Sequence, residues 1–164
     1  MNETEEEMSE QNKTLARRWS EDLFSRGNLD AANEILSAAF VDHLTREDER
    51  GLEELKHYVT IYRTTFPDIQ DTLEQIVAEG DKVVVRWTSR GTHQGEFMGV
   101  APTGRDVMFT GMRLFRIAKN KLAESWVNID ERGLQEQLRT ARARVGSPRE
   151  LELGGPCANR RAKA

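Results

Sequence analysis

Apolar residues in the first part of the chain recur at helical spacing. Leu15, Trp19 and Leu23 share one face, Ala16 and Phe24 widen it, and Gly27 follows where a helix would close. The spacing predicts a helix over about residues 10–26. Asn28 is a good N-cap for a short second helix carrying Ala32, Ile35 and Leu36, after which Phe40-Val41-Asp42-His43 reads as extended. From Gly51, the positions Leu52, Leu55, Val59, Tyr62 and Phe66 alternate by three and four, as in an amphipathic helix, and Pro67 stops it. Beyond Pro67 the period falls to two. Residues 69–78 and the β-branched-rich stretch 82–94 read as strands joined by Glu79-Gly80-Asp81. A loop punctuated by Gly and Pro follows, within GTHQGEFMGVAPTGR (91–105). Residues 106–118 and 121–130 then form a hairpin joined at Lys119-Asn120. Residues 133–144 close the pattern as a helix with Leu134 and Leu138 as its apolar contacts.

Helices first and strands afterwards imply an α+β domain rather than alternating parallel units. The expected architecture is a curved antiparallel sheet with N-terminal helices packed across it, forming a cone-shaped pocket between the layers, where small-molecule sites commonly lie. At 164 residues there is room for one core. The domain is expected over 10–145, with an acidic disordered N-terminus (1–9) and a basic disordered tail (146–164).

Charge changes this picture little. Residues 1–10 hold five Glu and no Lys or Arg, while 139–164 hold seven Arg or Lys against two Glu, around a net −4. Gly, Pro and Ala beside those basic residues point to a solvated end, not a nucleic-acid surface. No apolar run approaches the roughly 20 residues of a membrane span. The start MNETEEEMSE has neither a basic n-region nor an apolar h-region, so a cytoplasmic location is expected. Cys157 has no second cysteine to pair with, and the Asn2 and Asn12 sequons carry no weight without an export signal.

Neither a Gly-rich phosphate fingerprint, nor Cys/His metal spacing, nor a nucleophile elbow occurs, so no metal and no cofactor is expected. His57 lies off the apolar stripe of its helix, and His43, His57 and His93 are too dispersed to form a metal trio. Strand parity decides which side chains can meet. The odd positions Val83, Val85, Trp87, Ser89 and His93 form the more apolar face, and Val107, Phe109, Gly111, Arg113 and Phe115 continue it on the next strand. An inward Arg113 needs a carboxylate or an anionic ligand. Asp42 and His43 cannot both face inward: Asp42 would pair with Arg113, whereas His43 would serve as a general acid or base. The last strand offers either Trp126 with Asp130, an aromatic wall and a carboxylate base, or Val127 with Ile129, an apolar lining. Asp130 is also placed to cap the final helix.

These residues resemble the SnoaL-like polyketide cyclases, in the superfamily that also holds ketosteroid isomerase and limonene-epoxide hydrolase. The carriers are LFSRGNLDAANEILSAAFVDH, GTHQGEFMGVAPTGR, LFRIAKNKL, and SWVNID followed by GLQEQL, within residues 12–140. The resemblance implies a cone with a deep apolar cavity, often a homodimer. It also implies cofactor-free ring closure, in which a carboxylate removes a proton beside a carbonyl and donors steady the enolate. Laid through those motifs without gaps, the family's last-strand aspartate falls on Val127 and a pocket histidine on Arg113. A ligand-facing asparagine falls on Asp42, a pocket glutamine on Gly111, and an aromatic contact on Phe24.

The expectation is therefore a pocket protein for a small hydrophobic carbonyl compound, with cyclase, isomerase or lyase chemistry if it is an enzyme. Asp130, Asp42 and His43 are the candidate bases and Arg113 the electrophilic group. Trp19, Phe24, Tyr62, Trp87, Phe109, Trp126 and Val127 form the expected wall. A non-catalytic binder is the first alternative and an epoxide-hydrolase-like enzyme the second.

Overall fold

A computed structural model describes residues 3–43 and 48–139. The elements are α1 (Glu3–Arg18), a π-helical segment (Trp19–Ser25), α2 (Asp30–Ile35), β1 (Leu36–His43), β2 (Asp48–Arg50), α3 (Leu52–Thr65), β3 (Gln70–Glu79), β4 (Lys82–Thr92), β5 (Asp106–Ala118), β6 (Lys121–Ile129) and α4 (Glu131–Arg139). The expected tail at 146–164 and Cys157 lie outside the described residues.

The α+β cone is present. The six strands run in the order β2-β1-β6-β5-β4-β3. The sheet is mixed rather than wholly antiparallel, because β1 pairs parallel to β6. Those two strands are joined through nearly the whole domain, so no hairpin fixes their relative direction. The β5–β6 connection does follow hairpin rules: Lys119 and Asn120 both adopt positive φ, 52° and 57°, as a two-residue type I′ turn requires.

Three boundaries differ from the sequence reading. The first helix starts at Glu3, so residues 3–9, expected to be disordered, are helical. Its last turns widen into the π-helical segment, which turns Trp19, Ser20, Leu23 and Phe24 all inward. Asn28 does not cap α2. Its carbonyl accepts from Ala31 N, and α2 begins at Asp30. Asn12 is buried, with its side-chain amide donating to Gly80 O at 3.1 Å, so that sequon is not on the surface.

The main core lies between the helices and the concave face of the sheet. It is built from Ala16, Trp19, Leu23, Ile35, Phe40, Leu55, Val59, Val83, Val85, Phe115 and their neighbours. A second cluster of Phe66, Ile69, Val107, Phe109, Leu134 and Leu138 seals the end under α4. The loop from His93 to Arg105 ties these parts together. Gln94 N and Gly95 N donate to Thr65 O at the end of α3, and the Arg105 guanidinium donates to Gln137 O and Leu138 O at the end of α4. The fully buried His93 anchors the loop from inside, its Nδ1 bonded to Thr103 N and Oγ1. At the tip, Phe97 and Val100 pair around a tight turn at Met98 and Gly99, both with positive φ.

Candidate functional site

The odd positions of β4 and β5 face inward, as their alternation requires. Val83, Val85, Trp87 and Ser89 are buried on one strand, and Val107, Phe109, Arg113 and Phe115 on the next. Against them the π-helical segment supplies Trp19, Ser20 and Phe24, and α3 supplies Tyr58 and Tyr62. Asp71 and Ile129 complete a chamber that holds about 20 Å³ of free space, room for roughly one water. A wider chamber of about 90 Å³ lies outside it, lined by Ile61, Thr65, Phe97, Phe109, Glu131 and Leu134; Tyr58, Tyr62 and Ile129 are common to both.

Arg113 and Asp42 meet. Arg113 Nη1 donates to Asp42 Oδ2 at 2.6 Å and to Ser125 Oγ at 2.7 Å, and Ser125 Oγ donates to Asp42 Oδ1 at 2.5 Å. All three are buried, and the guanidinium lies 4.7 Å from the centroid of the Trp19 ring. Both Asp42 oxygens are thus committed, one to the ion pair and one to the Ser125 hydroxyl, and Asp42 is not among the residues that line the chamber. Arg113 retains capacity: among the described residues its Nε has no hydrogen-bond partner.

Three other expected site residues leave the chamber. His43 follows Asp42 in a strand and so takes the opposite face, stacking on Trp126 at 4.8 Å, with its Nε2 3.3 Å from Glu124 Oε2. Trp126 is 37% exposed on that outer face. The parity of β6 is set by Ser125, which is fully buried beside Arg113 and Asp42; Trp126 must therefore point outward and Val127 inward. Asp130 is exposed beyond the end of β6 and caps α4, accepting from Gly133 N at 2.9 Å with Oδ1 and from Leu134 N at 3.1 Å with its carbonyl. Val127 lies opposite Arg113 and packs into the core, while Phe109 lines the outer chamber.

The carboxylate that does line the inner chamber is Asp71, which the sequence reading missed. Ser89 Oγ donates to Asp71 Oδ1 at 2.6 Å, and Trp87 Nε1 donates to the same Ser89 oxygen at 3.0 Å. Burial pushes the Asp71 carboxyl up from 3.8 to about 6, against the pull of the Ser89 hydrogen bond and the Arg113 charge. Burial likewise holds the Tyr62 phenol well above its ordinary value, helped by Tyr58 and Asp71 and opposed by a Ser89 hydrogen bond and Arg113. The chamber therefore pairs a carboxylate poised near neutral pH with a phenol that stays protonated.

Trp87 forms the floor, and Gly111 makes room for it. A Cβ at position 111 would sit 2.4 Å from the indole Cζ2 and 2.5 Å from Cη2. Among the described residues no three His, Cys, Asp or Glu side chains gather as a metal site would need. None of their helices is long and apolar enough to cross a membrane.

A sequence model of the family described as SnoaL-like polyketide cyclase matches residues 14–138. No curated protein matches the chain. Solved structures do. A protein of Jannaschia sp. CCS1, provisionally named a SnoaL-like polyketide cyclase, superposes with a TM-score of 0.76 at 23% identity, over 81% of this chain and 94% of its own. IdmH of Streptomyces antibioticus, provisionally named a polyketide cyclase, gives 0.70 at 30% identity over 79% and 99%. AclR of Streptomyces galilaeus, provisionally named a hydroxylase, gives 0.70 at 30% identity over 77% and 80%.

Proposed function

The chain belongs to the SnoaL-like polyketide cyclase family, and from that membership we propose that it binds a small hydrophobic carbonyl compound and removes a proton beside the carbonyl. The base in this reading is Asp71, not Asp130 or Asp42. What carries the proposal is a largely buried carboxyl, raised to about 6, that shares a chamber with a protonated Tyr62 phenol and the guanidinium of Arg113.

The chemistry balances without a co-reactant. The C–H bond breaks, its proton goes to Asp71, and its electron pair moves into the adjoining C–C bond as the carbonyl oxygen gains charge. Tyr62 O–H and Arg113 N–H are the donors for that oxygen. The enolate carbon then attacks a second carbonyl of the same molecule, and the resulting alkoxide takes the proton back from Asp71. Return of the proton to another carbon instead gives an isomerisation. Ser89 and Trp87 hold the carboxylate in place through their two hydrogen bonds.

A second reading, a binder without turnover, is favoured by Val127 at the family's aspartate position and by the narrow inner chamber. Exchange of ketone α-protons with deuterium, followed by proton NMR, separates the two. Asp71→Asn is expected to abolish catalysed exchange and Asp130→Ala to preserve it. Equal exchange in wild type and Asp71→Asn rejects the Asp71 proposal, and ketone binding without any exchange supports the binder.

A further inference from the structure

We infer that the site is bipartite, and that the outer chamber is a distinct subsite for the hydrocarbon body of a ligand whose small carbonyl head alone enters the inner one. The inference rests on the Asp71 reading for the head and on the outer chamber's own walls for the body. With space for roughly one water, the inner chamber admits little more than the carbonyl oxygen of a head. It cannot readily be deepened. The Trp87 indole is pinned by Ser89 and already fills the volume over Gly111. Tyr58, Tyr62 and Ile129 line both chambers, so the bulk beyond the head continues from the inner one into the outer one past these three side chains.

The outer chamber is several times roomier, and its chemistry selects hydrocarbon. Tyr58, Tyr62, Phe97 and Phe109 present aromatic rings, and Ile61, Ile129 and Leu134 aliphatic carbon. Its polar groups are few: Thr65 Oγ1 already donates to Ile61 O and lies within reach of Glu96 O, and Glu131 is exposed. Tyr62 meets Phe109 edge-on at 6.3 Å, and a ring-bearing body can add aromatic contacts of the same kind to the ring faces and edges of this wall. Two parts of the wall stand apart from the main core. Phe97 comes from the loop tip and Ile61, 52% exposed, from the outer side of α3, so the body's size is set by residues that can change without disturbing Asp71.

The test uses the full chain and three probes: propylbenzene (body only), butan-2-one (head only) and 4-phenylbutan-2-one (both). Binding is read by NMR titration. Propylbenzene is expected to bind saturably, about fivefold or more weakly in Phe97→Ala and in Ile61→Ser, and unchanged in Met112→Ala on the opposite face of the sheet. The joined probe is expected to bind more tightly than either part. Ile61→Ser changes an exposed side chain, so it keeps the test decisive if Phe97→Ala misfolds. Propylbenzene binding that is absent, or indifferent to both substitutions, overturns the inference. The titration involves no turnover, so its failure is distinguishable from failure of the Asp71 reading, which α-proton exchange decides.

Discussion

Replacing Asp71 by Asn should stabilise the protein, but only at the pH where the carboxylate is charged. Burial raises the Asp71 pKa from 3.8 to about 6 in the folded state. Between those values the folded chain binds more protons than the unfolded one, so stability falls as pH rises through that window, and the penalty is complete above about 6. At about 1.4 kcal/mol per tenfold change in proton affinity, the buried carboxylate costs at most about 3 kcal/mol at pH 8 and nothing below about pH 4. Asn keeps an oxygen for the Ser89 hydroxyl and carries no charge. Thermal and urea unfolding of wild type and Asp71→Asn at pH 4.5, 6 and 8 read this directly. The variant should gain as much as about 6–12 °C in Tm at pH 8, with the gain shrinking steadily toward pH 4.5. A gain independent of pH, or a loss at pH 8, refutes the claim that Asp71 is desolvated.

Asp42→Ala strands a buried Arg113, so urea unfolding should show a loss of about 3–5 kcal/mol; a loss below about 1 kcal/mol contradicts the buried ion pair. Gly111→Ala drives a methyl group into the Trp87 ring and should cost about 1–3 kcal/mol. Much of that cost should vanish in a Trp87→Phe background, and additive losses in the double-mutant cycle reject the contact. Asp130→Ala removes a helix cap at a cost of about 1 kcal/mol without changing exchange, and a collapse of exchange would return Asp130 to the site.

The fold was legible where one periodicity dominates. The α3 stripe, the β4 and β5 alternation and the Lys119-Asn120 turn follow from local pattern alone. The site was legible in half. An inward Arg113 demanded a partner, and Asp42 stands at the end of the adjacent strand pair to supply it. On β6 both faces carry large apolar side chains, so only tertiary packing, through Ser125 under Arg113, could choose between them. Asp71 is hidden in the sequence because β3 changes phase. Asp71 and Leu73 point inward, a bulge follows Leu73, and Ile76 and Ala78 then take over the inward positions. A single-parity reading of the strand therefore shows no consistent face. The usable signal was local: Asp71 sits two residues before Leu73 and so shares its face of the strand ahead of the bulge.

The pH dependence of kcat/KM for α-proton exchange on 4-phenylbutan-2-one tests the assignment of Asp71 most directly. With Asp71 as base, the rate should rise tenfold per pH unit, bend at about 6 and stay level above it, and Asp71→Asn should lose the catalysed rate throughout. A bend near 4, or the same profile in the Asn variant, contradicts it.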